Sequence, residues 1–89
     1  MRAIMTVIGP DRVGIIASVS ALLASLNVNI LDLSQTIMGG LFTMTLLVDT
    51  AMSERSFEDI RAALAGHGER EGLSIRIQRE DTFAAMHRI

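Results

Sequence analysis

The chain has no cysteine, tryptophan, tyrosine or lysine, and a single proline, Pro10, among its 89 residues. Without cysteine there can be no disulfide, no thiolate metal site and no cysteine nucleophile. The composition suits a reducing cytoplasm, the compartment expected for it. Aromatic residues are confined to three Phe, while 49% of the chain is hydrophobic. The core must therefore be aliphatic, built from Ile, Leu, Val, Met and Ala. Charge is scarce and nearly balanced, with a formal net charge of −2 and no basic run. At this hydrophobicity and low net charge the chain is expected to fold. All eight Lys/Arg positions are Arg, whose planar fork suits bidentate contacts to carboxylates and phosphates.

Long apolar runs are missing too. The run from Met1 to Ile8 is cut off by Gly9-Pro10-Asp11, too early for a signal peptide. The stretch from Val13 to Leu26 is too short to span a bilayer and carries Ser18, Ser20 and Ser25. No membrane association is expected. The length suits one domain, whose modest core would benefit from oligomerisation.

What is present is a clear alternation of periods. Met1 to Ile8 reads as a buried strand. Asp11 stands where a helix N-cap belongs, and Ile15, Ile16, Val19, Leu22, Leu23 and Leu26 follow at helical spacing, with Asn27 as a stop. Val28 to Met38 and Leu41 to Asp49 are strand-like and flank Gly39-Gly40, a pair suited to a two-residue hairpin turn. That turn predicts Ile37 opposite Phe42, Gln35 opposite Met44, Leu33 opposite Leu46 and Leu31 opposite Val48. One face then carries Leu31, Leu33, Ile37 and the apolar residues opposite them, and is expected to be buried. The other carries Asp32, Ser34, Thr36, Thr43 and Thr45. Gln35 is the misfit on the apolar face and marks either a bulge or an edge position. Ser56 to Asp59 matches a capping box, with Phe57, Ile60, Ala63 and Leu64 forming a helical stripe and Gly66 and Gly68 as stop signals. His67 then lies at a helix end. Leu73, Ile75 and Ile77 alternate with polar residues in a last strand.

The order βαββαβ predicts an α+β, ferredoxin-like sandwich: a four-stranded antiparallel sheet with both helices on one face. The first and third strands are central and the second and fourth are edges. Residues 1–80 form this domain. Residues 81–89 make a tail, expected to be a short helix, in which Phe83 and Met86 are candidate contacts with the chain's own domain or a partner.

The loop Gly9-Pro10-Asp11-Arg12-Val13-Gly14 precedes the first helix, whose N-terminus offers unpaired N–H groups to an anion. Asp11 can cap that helix or hold an ammonium group, and Arg12 can reach a carboxylate. Gly14 permits close approach. A well-capped helix after a Pro-containing turn explains the same residues. A P-loop is excluded because its Lys-Ser/Thr is missing.

Gly9-Pro10-Asp11-Arg12-Val13-Gly14-Ile15 resembles the Gly-x-Asp-x-x-Gly segment that opens the first helix of ACT domains. Val28-Asn29-Ile30 resembles the Val-Asn-Ile that opens their second strand. The resemblance covers residues 1 to about 80, and Phe83 to Ile89 resembles the tail of small stand-alone prokaryotic ACT proteins. It implies a regulatory module that binds a small effector, expected to be an amino acid, and pairs side by side with a second copy as a homodimer. By motif position the ligand-binding candidates are Pro10, Asp11, Arg12, Val13 and Gly14, with Asn27, Asn29 and Ile30. Asn29 can both donate and accept, which suits an amino acid. The alternative is a protein–protein regulator of a metabolic or transcriptional partner, like the glycine cleavage repressor that the stand-alone format also resembles.

Other functions on this fold fit poorly. Acylphosphatases need a phosphate-cradling loop, which Asp11 would repel. His67 and His87 show no triad or metal pattern. RNA-recognition domains need aromatics on the open sheet face, which here carries Ser, Thr and Asp. Heavy-metal carriers need Cys-x-x-Cys. No catalytic residue, cofactor, metal or nucleic acid is expected.

Overall fold

The computed structural model describes residues 1–81. The expected tail helix, with Phe83 and Met86, lies outside the described residues. Strand β1 (Arg2–Pro10) is followed by α1 (Ile15–Ser25), β2 (Asn29–Met38), β3 (Leu41–Asp49), α2 (Phe57–Glu71) and β4 (Ser74–Arg79). All strand pairs are antiparallel, in the order β2-β3-β1-β4. This is the ferredoxin-like sandwich, with β1 and β3 central.

Alternation places the core. Ala3, Met5 and Val7 of β1 and Phe42, Met44, Leu46 and Val48 of β3 point to one side of the sheet and are buried. Ile75 and Ile77 of β4 join them. Ile15, Val19 and Leu23 of α1 close this layer together with Ile60 and Leu64 of α2 in one apolar cluster, so both helices lie on the same face. Each fully buried aliphatic side chain contributes about 1.5–3 kcal/mol.

Local signals explain most boundaries. Asn27, at φ 59°, takes the left-handed turn that ends α1. Ser56 caps α2, its Oγ accepting the Asp59 N–H at 3.1 Å. Four expectations are corrected. First, the N-cap of α1 is Gly14, at φ 92°, with no side-chain capping bond. Asp11 sits three residues upstream, its N–H donating to the Gly40 carbonyl at 2.8 Å. Second, Gly66 and Gly68 do not stop α2, which runs to Glu71 and ends at Gly72. Gly68 is there for close packing: a Cβ on it would lie 2.5 Å from the Leu73 carbonyl oxygen. His67 is therefore inside the helix, its Nε2 3.4 Å from Ser18 Oγ on α1.

Third, the β2–β3 register is as expected from Ile37–Phe42 to Leu33–Leu46, but Ile30, not Leu31, pairs with Val48. The bulge sits at Leu31 and not at Gln35. It turns half-buried Ile30 toward the core and leaves Leu31 exposed. Fourth, the apolar side of β2 is not buried. The helices cover β1, β3 and β4, and every residue from Leu31 to Met38 is exposed.

Candidate functional site

At the N-terminal end of α1 the bare side of β2 forms one wall of a depression of about 490 Å³. This lies within the range of roughly 300–1,000 Å³ usual for small-molecule sites. The loop supplies Asp11, Arg12 and Gly14, the first turn of α1 supplies Ile15 to Ala17, and the hairpin supplies Gln35, Ile37 and Phe42.

The chemistry of this depression follows from how α1 begins. The first helical bond runs from the Ser18 N–H to the Gly14 carbonyl at 2.9 Å. Ile15, Ile16 and Ala17 thus present N–H groups without an intrahelical acceptor. No side chain caps them, and the first turn holds no acidic residue. Gly14 has nothing within 4 Å of where a Cβ would be, so its requirement for glycine comes from its positive φ rather than from crowding. A partial positive charge therefore faces the depression. The Asp11 carboxylate stands beside it, and the remaining wall is mostly aliphatic.

Arg12 is already engaged. Its Nη2 donates to Glu71 Oε2 at 3.1 Å, tying the loop to the end of α2. Val13 is fully exposed, and Pro10 ends β1 opposite Leu41. Asn27 and Asn29 do not join these residues in one chain. They line a second depression, of about 430 Å³, with Ala24, Val28 and Met52 at the other end of α1. The 11 residues of α1 separate the two by about 16 Å. The Asn27 side chain serves the fold, its Nδ2 donating to the Met52 carbonyl at 2.7 Å. Ile30 packs against the core.

Gln35, Ile37 and Phe42 were not among the candidates. The available signal was Gln35, a polar residue inside an apolar stripe. Ser18 and His67 do not form an activated nucleophile: the Ser18 hydroxyl donates to the Ile15 carbonyl at 3.1 Å, leaving it to accept from the imidazole. Among the described residues no three His, Cys, Asp or Glu cluster to hold a metal ion, and no helix is long and apolar enough to cross a membrane.

A family profile described as "ACT domain" matches residues 2–78. The chain belongs to the ACT domain family. ACT domains are regulatory modules that bind small ligands. A UPF0237 protein of Listeria monocytogenes is 53% identical over 89 residues, covering 100% of both chains. The solved structure of an ACT domain protein from Streptococcus pneumoniae superposes with a TM-score of 0.81 at 35% identity, over 100% of this chain and 97% of that one. A protein provisionally described as a glycine cleavage system transcriptional repressor superposes at 0.76 with 25% identity, over 86% of this chain and 44% of that one.

Proposed function

We propose that this ACT domain binds an amino acid, or a small ligand with the same pair of charged groups, in the depression at the start of α1, and that it acts as a regulatory homodimer. The observation that carries the reading is the uncapped first turn of α1 facing a depression that also holds one free carboxylate and an apolar wall. The ligand carboxylate accepts from the N–H groups of Ile15 to Ala17. Its ammonium pairs with Asp11, and its side chain rests on Ile16, Ile37 and Phe42. Gln35 is exposed and can donate and accept. Arg12 positions the loop through Glu71. In the homodimer a second copy brings Asn29 and Ile30 to the site. The repressor relative supports a regulatory role.

An amino acid has few atoms, so dissociation constants of roughly micromolar to millimolar, about −8 to −4 kcal/mol, are expected. The test is a thermal-shift screen against the twenty amino acids at saturating concentration. A ligand bound only by the folded chain raises Tm. The shift should disappear in Asp11→Ala and survive in Asn27→Ala once stability differences are subtracted. No shift from any amino acid would overturn the reading and favour a regulated protein partner.

A further inference from the structure

The helices close one side of the sheet and leave the other open. On the open side, Arg76, Thr6, Thr45 and Ser34 stand in register and form a polar row across the strands. The adjoining row differs. Gln78, Ile4, Leu47 and Asp32 stand side by side, so two aliphatic side chains occupy its middle, with an amide at the β4 margin and a carboxylate at the β2 margin. Ile4 and Leu47 are only half-buried. A hollow of about 140 Å³ opens beside them, lined also by Asp32, Leu33, Ser34 and Thr45. That is close to the roughly 150 Å³ that loss of one large side chain leaves in a core. It has room for one apolar side chain.

The chain leaves β4 on this side. One step past the pair Ala3–Arg79, the register sets Glu80 opposite Arg2, and Arg2 Nη2 donates to Glu80 Oε2 at 2.9 Å. Arg2 alternates onto the same face as Ile4, so this contact fastens Glu80 on the open side. The backbone turns helical at Glu80 and Asp81. Beyond them the sequence carries Phe83, Met86 and Ile89, spaced three apart, which suits one flank of a helix. Three helical residues advance about 4.5 Å, and neighbouring strands lie about 4.7–4.9 Å apart. A helix carried across the sheet from β4 therefore sets Phe83 over β1, Met86 over β3 and Ile89 over β2. From Glu80 to Ile89 it would span about 15 Å, against about 14 Å across the strands. The charges agree as well. Arg88 arrives at the β2 margin, where the Asp32 carboxylate is exposed. The apolar side chains of Leu33 and Ile37 point to the other side of the sheet, at its far margin, away from this path.

We propose that residues 82–89 of the same chain close the open face of the sheet, with Phe83 packed on Ile4, Met86 filling the hollow beside Leu47 and Arg88 paired with Asp32. The contact stands apart from the depression at the start of α1 and requires no second copy. It gives the two aliphatic residues of an otherwise polar face the cover that their exposure calls for.

The test uses the full-length chain without substitution. In an isotope-labelled sample, nuclear Overhauser contacts should join the Phe83 ring to the Ile4 methyls and the Met86 Cε methyl to the Leu47 methyls. In a mixture refolded from labelled and unlabelled chains, edited to show only contacts between chains, the same contacts should be absent. Phe83→Leu keeps an apolar side chain and removes the ring current. It should shift the Ile4 methyl resonances and leave those of Ile16 and Ile37 in place. Contacts that survive the editing put the segment on a second copy and overturn closure within one chain. Contacts of Phe83 and Met86 with other residues, or with none, overturn the docking surface. Ile4 and Leu47 meeting the sheet of a second copy would assign the open face to self-association instead.

Discussion

Two glycines one half-turn apart in α2 should respond in opposite directions to the same methyl group. At Gly66 an added Cβ meets only the end of the Arg70 side chain, at 3.4 Å, which can swing away. Gly66→Ala should therefore stabilise the fold by about 0.5–1 kcal/mol, the usual gain of Ala over Gly inside a helix. At Gly68 the same atom would stand 2.5 Å from the Leu73 carbonyl oxygen and 3.3 Å from Ile75 Cγ1. The helix cannot simply retreat, because the Gly68 carbonyl accepts the Leu73 N–H at 2.8 Å and fastens α2 to the start of β4. Overpacking costs about 1–3 kcal/mol, and weakening that bond costs about 1 kcal/mol more. After the propensity gain, Gly68→Ala should be destabilised by about 1–3 kcal/mol. At about 4–8 °C per kcal/mol for a domain of this size, the two Tm values should separate by roughly ten degrees or more. Circular-dichroism melts and urea titrations at one fixed protein concentration measure this. A Gly68→Ala variant as stable as Gly66→Ala would refute the close approach of α2 to β4.

Ser56→Ala removes the one side-chain bond that caps α2 and should lower stability by about 1 kcal/mol in the same assays, with the m-value unchanged. Asp49 is held below the ordinary carboxylate range, first by the Ala51 N–H and then by the N-terminal ammonium. A depressed folded pKa stabilises above the unfolded value and loses that contribution as pH falls through the folded one. Asp49→Asn should therefore be less stable than the parent at neutral pH, and the gap should close in acid; a gap that stays constant with pH would count against it.

The order of elements, the central pair of strands, the Asn27 stop, the Ser56 cap and most of the β2–β3 register were legible because each rests on periodicity or local backbone chemistry. What was missed depended on the third dimension. Gly66 and Gly68 look like helix stops, but tertiary packing overrides propensity, and Gly68 is selected by the β4 backbone beside it. Leu31, Leu33 and Ile37 read as core because hydrophobic patterning shows which face is apolar, not what covers it. The loop half of the candidate site was visible in the segment from Gly9 to Gly14 that precedes the first helix. The hairpin half was not, since Gln35 and Phe42 reach the start of α1 only through the fold of the sheet. Asn27 and Asn29 follow the family motif but stand at the far end of α1 within one chain.

The two margins of the sheet are unequal. β4 is short, six residues, and its outer margin bears Arg76 and Arg79, whereas β2 runs for ten residues with Asp32 as its single charge. Short, charged margins resist strand addition and long uncharged ones invite it. The sheet can thus be extended in one direction only. Once two chains have met along β2, the composite presents a β4 margin at either end, and growth terminates there. A sandwich with two adhesive margins would polymerise; one with a single adhesive margin carries a stop to growth.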